Sequence, residues 1–328
     1  MNQSNLISIV IPVYKSTQSL YTIRQQVTDI FNSLNYQVEI VFVNDSPFFK
    51  PTCEVLEELT QQYPSLVREI RLRKNNGQQF AVLIGIKQAR GRFIITMDDD
   101  LQHSVAEIPN LIYAMENNPD IDAFFAIAPY SKKKHSLIRN LGSWMISKID
   151  DITLDRPQGL RKSSFRILKA DIVNYITNYY TASPTVSRLV IQATRNIQNI
   201  QVSHHSRKFG RSHYSYAKLV ELTFNDIVYH TSLPLAFIGA VGLISFIFSA
   251  LFIAYTIGIK LLHGVSIPGY TTQVVLISFF GGMTLLGIGI IGEYLVRITK
   301  EMYKPKLEDL VQNHDTLDEK VVLPSERN

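Results

Sequence analysis

The chain has 328 residues, a formal net charge of +5 and 46% hydrophobic composition, enough for a sizeable core in one large domain or two ordinary ones. The small positive charge, with no long basic run, argues against a nucleic-acid partner and fits an anionic membrane surface. A single cysteine, Cys53, excludes an intrachain disulfide and fits a reducing compartment, and Met1 to Leu6 lack the basic and apolar regions of a secretory signal.

In chain order, Leu6 to Val13 reads as a buried strand, Ser19 to Leu34 as a helix, Val38 to Val43 as a second strand and Val67 to Leu72 as a third. Gln78 to Gln88 then reads as a helix and Phe93 to Met97 as a strand, followed by a helix over Glu107 to Glu116 and a strand over Ala123 to Ala128. Such alternation predicts an α/β fold with a mostly parallel sheet covered on both faces, and in these sheets ligands bind beyond the carboxyl ends of the strands. Ser136 to Ile149 is expected to be a helix with Trp144 on its apolar side, and Asp155 to Ser164 a loop.

Two of the strands end in acid. The first gives Val43-Asn44-Asp45; the other gives Thr96-Met97-Asp98-Asp99-Asp100, three carboxylates with no basic residue between them. If strand alternation runs to the end, Asp98 and Asp100 converge on one divalent ion while Asp99 points elsewhere. Oxygen donors of this kind suit Mg²⁺ or Mn²⁺, bound through one or two carboxylates and the phosphates of a substrate. An acidic turn leading into the next helix accounts for the same residues, and taken alone the stretch leaves both readings open.

The second half of the chain is built differently. Tyr214 to Tyr229 is amphipathic, setting Leu219, Leu222, Phe224 and Val228 beside Lys218 and Asp226, as expected of a helix lying on a membrane surface. Thr231 to Ile259 and Gly264 to Gly292 carry no charged side chain, and each exceeds the roughly 20 apolar residues that cross a bilayer. Lys208, Arg211 and Lys218 precede this hairpin, Arg297, Lys300, Lys304 and Lys306 follow it, and the connector holds only Lys260 and His263. That asymmetry places both ends in the cytoplasm. Glu293 and Arg297 are spaced to pair, and the polar tail beyond Lys306 is expected to be mobile.

The ordered set Ile9-Val10-Ile11-Pro12-Val13-Tyr14, Val43-Asn44-Asp45, Asn75-Asn76-Gly77-Gln78, Asp98-Asp99-Asp100-Leu101-Gln102, Phe165-Arg166 and Arg207-Lys208-Phe209-Gly210-Arg211-Ser212-His213-Tyr214 resembles the polyprenyl-phosphate glycosyltransferases. These are family 2 glycosyltransferases of the dolichol-phosphate mannose synthase type. Gly292-Glu293-Tyr294-Leu295-Val296-Arg297-Ile298 resembles the bacterial undecaprenyl-phosphate members, and the likeness covers about residues 6 to 306.

The resemblance implies a GT-A (Rossmann-like) catalytic domain over 1–212, an interfacial helix over 213–231, a transmembrane hairpin over 232–296 and a cytoplasmic tail over 297–328. The protein would sit in the inner cell membrane, multi-pass, with the catalytic domain and both termini in the cytoplasm. It would move one sugar from a nucleotide diphosphate sugar, a UDP-sugar by preference, to polyprenyl phosphate with inversion, using Mg²⁺ or Mn²⁺. A homo-oligomer packed through the hairpin is compatible with it.

Residue by residue, the resemblance implies that Asp98, Asp100 and Gln102 hold the metal. Pro12, Tyr14, Asp45, Gly77, Gln78, Asp98 and Asp99 would meet the nucleotide sugar. Arg139 and Ser143 would act near the reacting centre, and with Arg166, Arg207, Lys208, Arg211 and Ser212 would grip the acceptor phosphate.

The chemistry asks for little else. A phosphate monoester has a second pKa of about 6 and is mostly dianionic near neutral pH, so the acceptor needs no dedicated base. It needs cationic donors that hold two anions close together, and the planar fork of Arg suits that task. His204-His205 makes a poor metal site, because neighbours in an extended segment point apart.

Several positions depart from the family pattern. Lys15-Ser16 replaces an acidic or amide pair, Ser46-Pro47 replaces a glycine-serine turn, and Tyr130, with Lys132, Lys133 and Lys134 nearby, stands where an arginine is usual. Ser164 occupies a position that is often aspartate. Two other functions share parts of this pattern. A processive polysaccharide synthase would need a Gln-x-x-Arg-Trp element, and the only tryptophan is Trp144. A catalytically inactive scaffold that still binds nucleotide sugar would have no evident need of the Asp98, Asp100 and Gln102 set.

Overall fold

A computed structural model of the chain describes residues 5–128, 157–202 and 269–312, with scattered positions between 238 and 262. Seven strands form one sheet: β1 (Leu6–Val13), β2 (Gln37–Asn44), β3 (Val67–Arg71), β4 (Phe93–Thr96), β5 (Ala123–Ile127), β6 (Arg166–Lys169) and β7 (Ile197–Gln201). Their order is β3-β2-β1-β4-β6-β5-β7. Neighbours from β3 to β4 run parallel, as do β5 and β7, while β6 is antiparallel to both β4 and β5. The GT-A-like α/β architecture is therefore present, with one reversed strand that the alternation of elements did not predict.

Strand alternation divides the core into two layers. Ile7, Ile9, Ile11 and Val13 of β1 join Ile40 and Phe42 of β2 and Phe93 and Ile95 of β4 on one face. That face is covered by α1 (Gln18–Phe31), α2 (Lys50–Gln62) and α4 (Ile108–Asn117) through Leu20, Ile23, Leu56, Leu59, Leu111 and Met115. Val10, Val41, Val43 and Ile94 point the other way, toward α3 (Gln78–Gln88), α5 (Val173–Asn178) and α6 (Val186–Ala193). Helix α3 packs very close to the strands: a Cβ on Gly85 would lie 2.3 Å from Val10 Cγ1 and 2.9 Å from Val43 Cγ2. Only glycine fits there without movement of the sheet, and this brings the start of α3 down onto the strand ends.

Residues that the sequence reading left unassigned include α2, whose N-terminus carries Pro51 in a position that tolerates it. The tail departs from expectation in the opposite sense. Leu307 and Leu310 are buried against the α3 layer, Arg73 N–H donates to Leu310 O at 2.9 Å, and Gln312 N–H donates to Arg71 O at 2.8 Å. The tail thus adds a short antiparallel bridge, Leu72 with Val311, to the open edge of β3. An uncovered strand edge invites unwanted pairing, and two buried leucines contribute about 1.5–3 kcal/mol each.

In the second half, α7 (Tyr270–Met302) is a continuous 33-residue helix. Its stretch Phe279–Met302 is long and apolar enough to cross a membrane, and among its described side chains only Arg297 is buried. Glu293 and Arg297 pair along it at 3.2 Å as their spacing predicts. The proposed first span lies mostly, and the interfacial helix wholly, outside the described residues.

Candidate active site

The strand order turns at β1: the chain proceeds outward through β2 and β3, then returns to place β4 on the opposite side. In open α/β sheets ligands bind in the crevice at such a reversal. A cleft of about 730 Å³ opens there, lined by Pro12 to Ser19, Asp45, Asn75, Gly77, Gln78, Asp98, Asp99 and Asp100. Its size suits a nucleotide-sized ligand.

At one end stands Asp45, the residue following β2 and 3% exposed. Its Oδ1 accepts the Asn76 N–H at 2.7 Å and its Oδ2 the Gly77 N–H at 2.9 Å. Burial pushes its carboxyl up, against the partial opposition of those two amides. Gly77 has φ +88° and ψ 155°, a conformation close to exclusive to glycine, so the loop owes its path to that residue. Asp45 thereby fixes the loop that ends at Gln78, the first residue of α3.

At the other end is the acidic triplet. Strand β4 stops at Thr96, one residue earlier than expected, so a turn and not continued strand alternation orients the carboxylates. The turn still sends neighbours apart. Asp98 Oδ1 accepts from Gln78 Nε2 at 2.6 Å and its Oδ2 from Ser164 Oγ at 2.7 Å, whereas Asp99 Oδ2 faces the Tyr14 N–H at 3.4 Å. Asp100 Oδ1 accepts the Gln102 N–H at 3.1 Å. Among the described residues the only non-glycine positive φ angles are at Lys15 (57°) and Leu101 (59°), beside the cleft and directly behind the triplet. A left-handed L-residue costs roughly 1–2 kcal/mol, a strain that clusters at functional sites.

The electrostatics separate the three acids. Burial raises Asp99 to about 6, with the charges of Asp98 and Asp100 adding to it and hydrogen bonds from Ser16 and Tyr14 opposing it. Burial also acts upward on Asp98, yet hydrogen bonds from His103 and Ser164 and the charges of His103 and Arg166 outweigh it, leaving that carboxyl below its ordinary value. Asp98 therefore stays ionised among repelling neighbours.

Does this set fit a divalent cation? No group of three His, Cys, Asp or Glu side chains converges on one metal position among the described residues. The donors are all oxygen, however, two of them the carboxylates on either side of Asp99 at the rim of the cleft. That fits Mg²⁺ or Mn²⁺, ions whose remaining positions are filled by water and substrate phosphate. Asp98, Asp100 and Gln102 would hold it.

One assignment is corrected. Arg166, expected at the acceptor phosphate, is 2% exposed; its Nε donates to Thr96 Oγ1 at 2.9 Å and its Nη1 to Ser187 Oγ at 3.0 Å. Burial lowers its guanidinium to about 10, with Asp98 opposing the shift. It secures β6 to β4 behind the site, because Thr96 and Arg166 are register partners across the two strands. Arg139, Ser143, Arg207, Lys208, Arg211 and Ser212 lie outside the described residues. His103 was missed in the sequence: its Nε2 is 3.2 Å from Ser164 Oγ and 3.4 Å from Asp98 Oδ2. Its place right after Gln102 was the available signal.

Residues 8–176, over half of the chain, match the family model described as glycosyl transferase family 2. The chain belongs to that family. Undecaprenyl-phosphate 4-deoxy-4-formamido-L-arabinose transferase of Yersinia pestis (strain Pestoides F) is 30% identical over 303 residues, covering 90% of this chain and 90% of that protein. The protein of the same description from Pseudomonas savastanoi pv. phaseolicola is 31% identical, covering 90% and 87%. That from Serratia proteamaculans is 28% identical, covering 95% and 97%. Among solved structures, glucosyl-3-phosphoglycerate synthase from Mycobacterium tuberculosis in complex with Mn²⁺, UDP-glucose and phosphoglyceric acid aligns at a TM-score of 0.45 and 11% identity, covering 68% of this chain and 78% of that one. This family 2 member is thus a glycosyltransferase, and its curated relatives place it with the polyprenyl-phosphate glycosyltransferases.

Proposed function

We propose that the protein transfers a single sugar, with inversion, from a UDP-sugar to a polyprenyl phosphate at the cytoplasmic face of the inner membrane, where one hairpin of two helices anchors it. The observation that carries this reading is the gathering of Asp98, Asp99 and Asp100 at the β4 end of a cleft whose opposite wall is shaped by Asp45 and Gly77. Pro12, Tyr14 and the Gly77–Gln78 loop receive the nucleotide, and Asp98 and Asp100 face its diphosphate. A bound divalent ion supplies Lewis-acid stabilisation of the leaving diphosphate.

The chain's own task is to bring two anions together. No carboxylate has to act as a base, since the acceptor already carries its negative charge. Arg139, Ser143, Arg207, Lys208, Arg211 and Ser212 are the residues proposed to hold that phosphate. The names of the relatives support undecaprenyl phosphate as acceptor and make a 4-formamido-arabinose donor the first to try.

The test is transfer of radiolabelled sugar from a panel of nucleotide sugars to undecaprenyl phosphate by the purified full chain in detergent, with Mn²⁺ or with EDTA. Labelled lipid from one donor, lost with EDTA and in Asp100→Ala, is expected. No product from any donor by folded protein that still binds nucleotide would overturn the reading and favour an inactive nucleotide-sugar-binding scaffold.

A further inference from the structure

Asp98 is braced from behind by residues that the donor chemistry does not itself require. Ser164 Oγ donates to Asp98 Oδ2 at 2.7 Å, and the same Oγ lies 3.2 Å from His103 Nε2. A hydroxyl has one proton and two lone pairs. With its proton committed to Asp98, Ser164 is left to accept, and the His103 Nε2 proton faces both Ser164 Oγ at 3.2 Å and Asp98 Oδ2 at 3.4 Å. His103 thus supports Asp98 directly and through Ser164.

Both supporting residues are themselves fixed. The imidazole lies tilted at 31° against Phe165, ring centres 5.0 Å apart, and Phe165 is fully buried. The Ser164 carbonyl accepts from Thr96 Oγ1 at 2.6 Å, and Thr96 in turn accepts from the buried Arg166. The bracing residues follow β4 and precede β6, strands that are each paired on both sides within the sheet. On the opposite side Gln78 Nε2, from the first residue of α3, donates to Asp98 Oδ1 at 2.6 Å, a contact that a side-chain rotation alone releases.

We propose that Ser164 and His103 are positioning residues that lock Asp98 Oδ2, so that Oδ1 is the oxygen presented to the donor complex once Gln78 gives way. The proposal rests on the donor-site reading above and adds to it which oxygen is reserved and what reserves it. A neutral hydroxyl suits the place: it donates to Asp98 without adding a further negative charge to a crowded triplet. Outer partners of this kind typically alter metal affinity or activity by about 10–100-fold when removed.

The experiment measures Mn²⁺ affinity of the purified full chain in the presence of UDP, from the electron paramagnetic resonance signal of free Mn²⁺. Ser164→Ala is expected to weaken Mn²⁺ binding by about 10–100-fold, and Ser164→Thr, which keeps the hydroxyl, to recover most of it. His103→Ala and His103→Gln form a second pair, the glutamine amide replacing Nε2–H, and decide the matter should Ser164→Ala fail to fold. In steady-state assays the Ala variants should raise the donor KM more than the Thr and Gln variants do, with unchanged acceptor KM. Wild-type Mn²⁺ affinity in folded Ser164→Ala and His103→Ala would overturn the positioning role alone. A wild-type protein that binds neither Mn²⁺ nor UDP would overturn the donor-site reading and this proposal with it.

Discussion

The two acidic strand ends of the cleft look alike in sequence and are held in opposite ways. Asp45 is gripped by the backbone: two successive amides, Asn76 and Gly77, meet its two oxygens. Asp98 is gripped by side chains, Gln78 on one oxygen and Ser164 with His103 on the other. Backbone amides cannot leave without moving the loop, so Asp45 acts as a fastener. Side chains can rotate away, and so Asp98 can exchange a partner for a ligand. The same residue type at the same kind of strand end thus serves shape in one place and chemistry in the other.

The substitutions that break this contrast rank in size. Asp98→Asn and Asp100→Asn should lower sugar transfer by about 1,000-fold, the order expected when charge stabilisation of a leaving group is lost. Melting of Asp98→Asn should fall modestly, because the fold favours its charged form, and this drop is too small to account for the lost activity. A comparable loss in Asp45→Asn would erase the distinction between the two ends.

Gly77→Ala comes next. A Cβ there meets nothing within 4 Å, so any penalty is conformational, about 1–3 kcal/mol for forcing an L-residue into that region. Thermal unfolding should register it, together with weaker UDP binding, whereas a crowding explanation would require a contact that is not there. Asp45→Asn removes one of two acceptors for the amide pair, at about 1–2 kcal/mol, and should raise the donor KM roughly tenfold while kcat is largely kept. Smallest is Ser46→Ala. Its Oγ accepts the Lys15 N–H at 3.0 Å and donates to Asn44 Oδ1 at 3.2 Å, and losing bonds of this kind costs about 0.5–1.5 kcal/mol each, read as a few-fold rise in donor KM.

Much of this was legible from residues alone, and the reason is physical. Buried strands β1 and β2 and helix α3 announce themselves as short, nearly continuous apolar runs rather than by alternation, and β1 and α3 keep the bounds read from the sequence. The rule that ligands sit beyond strand ends located Asp45 and Asp98 without any coordinates. What the pattern could not give was the company each acid keeps. Ser164 and Arg166 lie nearly seventy residues from the β4 end they serve, and β6 joins the sheet antiparallel, against the rhythm of the first hundred residues. Arg166 illustrates the difficulty: a cation beside a family motif reads as a phosphate ligand until its burial against Thr96 and Ser187 is seen. The tail misled for another reason, since Leu307 and Leu310 are too few to outweigh a charged neighbourhood by composition, yet they suffice to seat it on the β3 edge.

The measurement that bears most directly on the contrast is UDP affinity of the full chain with Mn²⁺ and with EDTA, for the wild type, Asp98→Asn and Asp45→Asn side by side. The account predicts that Mn²⁺ tightens UDP binding in the wild type, that Asp98→Asn abolishes this gain, and that Asp45→Asn weakens binding under both conditions while keeping the gain. A metal-dependent gain that survives Asp98→Asn, or that disappears only in Asp45→Asn, would contradict it.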